Sequence, residues 1–424
     1  MIFNKATARK KNTIVLKFGG TSVADPACIA HISKIAIKEA EENNVIVVVS
    51  AMGKTTNGLV DLANQVSPDA RGRELDMLLA TGELISMSLT AMAIQKLGHP
   101  AVSLTGWQAG FITESAHNRA RIAEIRCDRV NRHLNNGEII VVAGFQGVTE
   151  DGEVTTLGRG GSDTSAVALA AAFKAIRCDI YTDVDGVFTT DPRLVPEATK
   201  LDLISHEEMI ELASLGAKVL HPRSVELAKK FDIDLRVRNT FNPTNEGTKV
   251  VSLKRINDME LTRTVTGVAV DLKQARIGIM GVPDKPGIVS KLFTALSQNN
   301  ISVDMIIQSV PRDGINDVGF TVAKEDLNPA LEICNQVVAE IGAQGVASDA
   351  NIAKVSIVGA GMINRPGVAS MLFNTLAKEG INIQMIATSE IKISCMIDPQ
   401  YADKAVKAIH SAFELQKSSE PVVA

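Results

Sequence analysis

The sequence predicts a chain of the α/β class: a three-layer α/β/α domain followed by two ferredoxin-like βαββαβ modules. Two observations carry that prediction. Up to about residue 240, short apolar, β-branched runs alternate with helix-forming stretches, the pattern of a parallel sheet covered on both faces. Beyond that point the chain repeats itself at a constant offset of 80 residues, enough for one complete supersecondary unit. A length of 424 residues accommodates two to four domains, each able to bury its own core.

Taken in order, residues 13–18 (TIVLKF), 45–50 (VIVVVS), 138–143 (EIIVVA) and 179–183 (DIYTD) read as strands buried on both faces. Residues 27–42, 73–97, 118–135 and 162–173 read as the helices between them. Right-handed crossovers then stack helices on both sides of the sheet, and ligands bind beyond the carboxyl ends of the strands. Residues 239–249 (NTFNPTNEGTK), rich in Asn, Pro, Thr and Gly, read as the loop that closes a first domain spanning 1–250.

The repeat is explicit. Pro286-Gly287 recurs as Pro366-Gly367, Leu292 and Phe293 as Leu372 and Phe373, and Met305 and Ile306 as Met385 and Ile386. Each unit reads strand, Pro-Gly loop, helix, strand, strand, helix, the order of a βαββαβ module. Proline suits the helix start, where an N–H would be orphaned anyway. The first module takes 273–352. The second, 353–416, is one strand short, while 262–272 (TRTVTGVAVDL) is a strand-like segment left over. The economical solution gives 260–272 to the second module, so that the two interlock; the alternative is that 421–423 supply the missing strand.

Composition narrows the function classes. Aromatic residues are 4%, with a single tryptophan, Trp107, which argues against base-stacking surfaces. A net charge of −4 offers no footprint for nucleic acid. No apolar run reaches the ~18 residues that span a membrane, and MIFNKATARKKN lacks the apolar core of a signal peptide. Five scattered cysteines, with no CxxC pair, read as reduced residues of a cytoplasmic protein.

Three loops carry chemistry. Lys17-Phe18-Gly19-Gly20-Thr21-Ser22 follows the first strand. Its glycines admit close approach of an anion, and Lys17 adds a point charge. It is not a GxxxxGK[ST] loop, since the lysine precedes the glycines, and by itself the string also fits a turn with a solvated lysine. Gly158-Arg159-Gly160-Gly161-Ser162-Asp163 opens a helical run. Ser162 reads as its N-cap, Asp163 favours the positive helix end, and Arg159 suits a carboxylate; a merely capped helix is the plain alternative. Thr182-Asp183-Val184-Asp185-Gly186-Val187-Phe188-Thr189-Thr190-Asp191-Pro192-Arg193 is a long polar loop after a strand, and Lys218 in LGAKVLHP adds a cation.

KFGGTS, SAMGKTTN, TGELIS, GFQGVT, TLGRGGSDTSA, YTDVDGVFTTDPR and GAKVLHPRS occur in the order seen in aspartate kinases of the amino-acid-kinase superfamily. The repeat, with GVPDKPG, VDMIIQS, NRPGVA and IATSEIKIS, resembles their paired ACT domains, as in bacterial enzymes controlled by lysine and threonine. The likeness covers residues 13–415. It implies transfer of the γ-phosphate of ATP, bound with Mg²⁺, to the β-carboxylate of aspartate. It assigns the catalytic roles to Lys17, Asp163 and Lys218. It places ATP against Lys17, Phe18, Gly19, Gly20, Thr182, Asp183, Phe188, Thr189, Thr190, Asp191, Pro192, Arg193 and Lys218. Aspartate falls to Ser50, Thr56, Glu83, Arg159, Gly160, Gly161 and Ser162. Rival readings are a glutamate or carbamate kinase on the same fold, and a catalytically dead amino-acid sensor.

An effector, lysine, threonine or both, is expected between ACT modules. The Pro-Gly loops precede helix N-termini, which suit a carboxylate. One expected site takes Asp284, Lys285, Pro286, Gly287, Ser302, Val303, Asp304 and Gln308, with Asp304 receiving the ammonium. The other takes Asn382, Ile383 and, by resemblance, Val368, Ala369, Ser389 and Glu390. Pro311, where related enzymes carry a small polar residue, departs from the pattern. The expected partners are substrates, effectors and further copies of the chain, with Met259 a candidate start for a shorter, ACT-only subunit.

Overall fold

A computed structural model describes residues 11–68, 70–216, 219–257, 263–363 and 365–417. They form two compact units. One takes residues up to 187, 200–214 and 219–257; the other takes 188–199, 215–216 and 263 onward.

The first unit is built on an eight-stranded sheet. Its strands are β1 (Thr13–Phe18), β2 (Asn44–Val49), β3 (Ala101–Leu104), β6 (Ile139–Ala143), β9 (Cys178–Thr182), β10 (Leu203–Ser205), β11 (Leu235–Asn239) and β12 (Thr248–Val251), ordered β10-β12-β11-β9-β1-β2-β6-β3. β1 pairs in parallel with β2 on one side and β9 on the other, so Phe18 stands level with Val49 and Tyr181. The order of the chain reverses around β1, which makes its carboxyl end the switch point where α/β folds bind ligands. β12 returns antiparallel to β11. Residues 239–249 therefore turn back into the sheet instead of closing it. A smaller sheet, β5-β4-β7-β8, is formed by β4 (Phe111–Thr113), β5 (Ile122–Ile125), β7 (Gln146–Val148) and β8 (Val154–Thr156).

The helices are α1 (Pro26–Ala40), α2 (Thr55–Val66), α3 (Arg73–Lys96), α4 (Asp128–Asn135), α5 (Gly161–Ala172), α6 (His206–Ser214), α7 (Pro222–Phe231) and α8 (Leu253–Asn257). Three expectations are corrected here. The helix expected over 118–135 is a loop, then β5, then α4 alone. Asn118 sits at φ 64, which breaks a helix, and Phe111 and Ile112 of β4 pair antiparallel with Ile125 and Glu124. Ser162 does not cap α5: Gly160 does, at φ 72 and ψ 11, and Ser162 lies inside the first turn. Finally, α3 is long and apolar enough to cross a membrane by length and composition, contrary to expectation, but half of that window is buried. α3 holds Asp76 and Glu83 inside the fold, as a core helix does. α5 is buried from Gly161 through Ala170, which explains its alanine-rich composition.

The second unit holds two four-stranded sheets. The first module runs β14 (Gln274–Pro283), α9 (Ile288–Gln298), β15 (Val303–Gln308), β16 (Ile315–Ala323), α10 (Leu327–Ile341) and β17 (Gly345–Asp349), with sheet order β15-β16-β14-β17. In the second, β13 (Gly267–Asp271) joins β18 (Ala353–Val358), α11 (Val368–Lys378), β19 (Met385–Thr388), β20 (Lys392–Ile397) and α12 (Ala402–Ala412), with order β13-β18-β20-β19. β13 pairs antiparallel with β18 as β17 does with β14. Residues 421–423 lie outside the described residues. Pro286 and Pro366 do not open the helices: Gly287 at φ 88 and Gly367 at φ 96 are the caps. A left-handed glycine there lets the chain turn sharply before the first helical N–H groups.

Candidate active site

At the carboxyl end of β1, Lys17 is only 9% exposed and its Nζ lies 2.5 Å from an Asp163 oxygen in the first turn of α5. The two glycine-rich loops thus meet through one ion pair. An exposed lysine would be worth little as such a contact, but this one is largely shielded from water. The loop after β1 is knitted to its neighbours by main-chain bonds: Gly19 N–H to Tyr181 O at 3.3 Å and Gly53 N–H to Gly20 O at 3.0 Å. A Cβ on Gly20 would approach the carbonyls of Ala51 and Gly53 to 3.0 Å, so glycine is needed for the close approach. Ser22 Oγ reaches Thr240 Oγ1 at 2.6 Å and fixes the far end of the loop.

Glu83 comes to the same place from α3. It is 3% exposed, and its Oε1 accepts from the Ala51 N–H at 3.0 Å. Oε2 is buried with no hydrogen-bond partner. Burial pushes the carboxyl up to about 8, against the Ala51 N–H that favours the anion. Once ionised, a buried carboxyl with one free oxygen can accept a cationic group. Next to it, the Ser86 hydroxyl donates to Ser50 O at 2.8 Å and Thr55 Oγ1 to Met52 O at 2.6 Å. These bonds hold the turn that carries Ser50 and Thr56.

The Gly158–Ser162 loop is confined. Ser162 packs against Gly144 at the end of β6, where a Cβ would come within 2.9 Å of the serine's own. Arg159 is exposed. Gly161, Ser162 and Asp163 lie in the buried first turn of α5; the Gly161 N–H donates to Gly158 O at 2.9 Å, and the positive end of the helix suits an anion. Lys17, Gly19, Gly20, Ser50, Thr56, Glu83, Arg159, Ser162 and Asp163 all belong to the first unit. Two residues the sequence reading passed over, His221 and Arg223 at the start of α7, also touch this loop (below). The signal for them was their place in the GAKVLHPRS string.

The remaining expected nucleotide residues divide. Thr182 Oγ1 donates to Asp183 Oδ1 at 3.1 Å within the first unit. Phe188 to Arg193 fold with the second unit. There Asp191 pairs with Arg193 at 2.6 Å, and the Thr189 hydroxyl meets His410 Nε2 at 3.0 Å. Lys218 lies outside the described residues. Among the described residues no group of three or more His, Cys, Asp or Glu is placed to hold a metal ion.

Of the expected effector residues, Asp284, Lys285, Pro286, Gly287, Ser302, Gln308, Asn382, Ser389 and Glu390 are exposed, Val303, Ala369 and Ile383 half-buried, and Val368 buried. Asp304 is already partnered: its carboxylate is ion-paired with Lys354 of β18, whose side chain is 4% exposed. Asn316, 3% exposed, turns its amide nitrogen toward Asp284 Oδ1 at 3.4 Å and leaves its oxygen without a partner.

Residues 12–239 match the amino acid kinase family, and 276–338 and 355–413 each match an ACT domain. The chain is 50% identical over 407 residues to the aspartokinase of Bacillus sp. strain MGA3, covering 96% of this chain and 98% of that one. Among solved structures it resembles E. coli aspartokinase III in complex with aspartate and ADP in its R-state, at a TM-score of 0.81 and 27% identity, over 94% of this chain and 99% of that one. It also resembles the T-state of the same enzyme with lysine and aspartate, at a TM-score of 0.72 and 28% identity, over 95% and 99% of the two chains.

Proposed function

The chain belongs to the amino acid kinase family, and on that premise we propose how its residues carry out the reaction. It is an aspartate kinase with two ACT domains: it moves the γ-phosphate of ATP to the β-carboxylate of aspartate, giving 4-phospho-aspartate and ADP. The acceptor carboxylate, with an ordinary pKa of about 3.9, is already an anion at neutral pH, so no general base is required. The difficulty is bringing two anions together, and it is met by positioning and by positive potential. Lys17, held by Asp163, lies against the β- and γ-phosphates over Gly19 and Gly20. Arg159 and the first turn of α5 take the carboxylates of aspartate, Ser50 and Thr56 line its flank, and Glu83 takes its ammonium. Lys218 and the 182–193 loop complete the nucleotide side. The phosphate oxygens of ATP suit Mg²⁺, a hard cation that would screen their charge against the incoming carboxylate.

The observation that supports this reading most is the buried, unpartnered Glu83 oxygen beside the Lys17–Asp163 pair. Regulation runs through the ACT domains, with lysine, threonine or both as effectors and a cytoplasmic oligomer formed by pairing those domains between chains. A shorter subunit started at Met259, which lies outside the described residues, would carry the ACT pair alone. ADP release with aspartate or glutamate as acceptor, with and without lysine and threonine, tests the whole scheme. Equal turnover of glutamate would refute selection of aspartate as the acceptor, and indifference to both effectors would refute the regulatory reading.

A further inference from the structure

The loop that carries Arg159 is gripped from behind by the start of α7. The His221 ring lies against Gly160 so closely that a Cβ on that residue would fall inside it. Gly160 also has φ 72, a backbone conformation that disfavours any side chain. Two residues further, Arg223 donates from Nη1 to Leu157 O at 2.7 Å and from Nη2 to Ala120 O at 2.9 Å. Both terminal nitrogens of a half-buried guanidinium thus go to main-chain carbonyls. Leu157 is the residue immediately before the loop, and its own N–H is held by Phe145 O at 2.8 Å. The entry of the loop and its middle are therefore fixed by two side chains of one helix start. Neither carries a role in the reaction described above.

We infer that His221 and Arg223 are positioning residues of the aspartate site. His221 sets the place of Gly160 and Arg223 the entry of the loop, so that Arg159 and Ser162 meet the substrate, though neither side chain touches it. The inference rests on the reading of the 158–162 loop as the aspartate site. The imidazole acts here by shape. Burial holds it below its ordinary range, with Arg223 and Arg159 pushing the same way and Asp163 and Glu226 opposing, which favours the uncharged ring. Its Nδ1 is buried without a hydrogen-bond partner. A planar ring without nitrogen should serve in its place. Arg223 acts by its fork, which a lysine of the same charge cannot reproduce.

Steady-state kinetics on the full-length chain test this with His221→Ala, His221→Phe and Arg223→Lys, and with Arg159→Ala as the reference for the site itself. His221→Ala and Arg223→Lys should each raise the KM for aspartate about tenfold or more and move the KM for ATP by less than about twofold, since displacements of ~1 Å suffice for such losses. His221→Phe should stay within about threefold of wild type on both substrates. Far-UV circular dichroism checks the fold; if His221→Ala fails it, Arg223→Lys and His221→Phe decide. Equal shifts in both KM values, or His221→Phe as impaired as His221→Ala, overturn the inference. A raised aspartate KM in Arg159→Ala with none in His221→Ala and Arg223→Lys overturns it alone. No change in Arg159→Ala overturns the reading of the loop, and the inference with it.

Discussion

Lys17 and Glu83 illustrate two uses of burial at one site. Lys17 keeps its charge close to Asp163, so Lys17→Ala removes positive potential where negative charge gathers in the transition state. The expected loss is about a hundred- to a thousandfold in kcat, as for single electrostatic contacts in comparable sites. A variant that keeps more than about a tenth of wild-type turnover would remove Lys17 from the mechanism. Glu83 is the pH-sensitive member. Its folded-state carboxyl is raised from 4.5 to about 8, so between those values the folded chain holds a proton that the unfolded chain has released. Stability therefore falls as pH rises through this window, and the loss is complete above the folded value. Binding of an ammonium requires the anion, so aspartate binding should release a proton and its KM should fall as pH rises toward about 8, then level off. Glu83→Gln should raise the KM and flatten that slope. A wild-type profile as flat as the variant's would count against the assignment.

Strand β13 belongs to the second module although 81 residues, from Leu272 to Ile352, separate it from β18. It covers one edge of β18, and Val265 and Val268 join the core formed by Val355, Ile357, Leu372 and Ile409. A fragment starting at Met259 should accordingly melt cooperatively. One starting at Lys273 loses those residues and leaves a bare strand edge. Similar melts for the two fragments would show that β13 is dispensable. The two modules also meet where Asp304 of the edge strand β15 pairs with Lys354 of the interior strand β18. Asp304→Ala leaves an ammonium buried without its partner. The cost should fall below the ~3–5 kcal/mol of fully buried pairs, because the Asp304 side chain is 39% exposed. Asp304→Asn keeps an acceptor for Lys354 and is the better probe of the effector site. It should relieve inhibition with little change in uninhibited kcat, while Asp304→Ala should also lower the melting temperature. Unaltered inhibition in Asp304→Asn would take this carboxylate out of the effector site.

Residues 188–199 take in the end of the 182–193 loop proposed for the nucleotide, yet they fold with the ACT domains. The Val268 N–H donates to Thr189 O at 2.8 Å, Thr199 Oγ1 to Leu415 O at 2.8 Å, and Val195 is buried in the core of the second module. An effector changes activity only as far as it binds the active and inactive states differently, typically by ~1–3 kcal/mol. On the proposed assignment of this loop to ATP, its anchorage in the second unit would offer a covalent route for that difference. His410→Ala, which leaves the Thr189 hydroxyl held by the Thr199 N–H alone, should raise the KM for ATP more than that for aspartate and weaken effector inhibition. Unchanged values of both would remove this contact from the coupling.

The strands β1, β2, β6 and β9, the two glycine-rich loops and the duplicated module were all legible in the sequence. Each is written in contiguous residues: β-branched runs that suit a buried strand, glycines that admit an anion, Pro-Gly strings repeated at a fixed offset. The resemblance named Lys17 and Asp163 together as catalytic, but nothing in either loop announces that they pair. The packing of His221 beneath Gly160, the fork of Arg223 on Leu157 and the capture of Asp304 by Lys354 were decided by the tertiary structure. So was the folding of 188–199 with the ACT domains. Those contacts join residues far apart in the chain, and no periodicity or propensity encodes which distant side chain fills a given space. The 118–135 stretch failed for the same reason. Its helical composition is real only over Asp128–Asn135, while the pairing of β5 with β4 outweighs local preference before it. Local chemistry determines what a segment can be; burial against a specific neighbour determines what it becomes, because the free energy of close packing and of satisfied buried polar groups exceeds the propensity of any short segment.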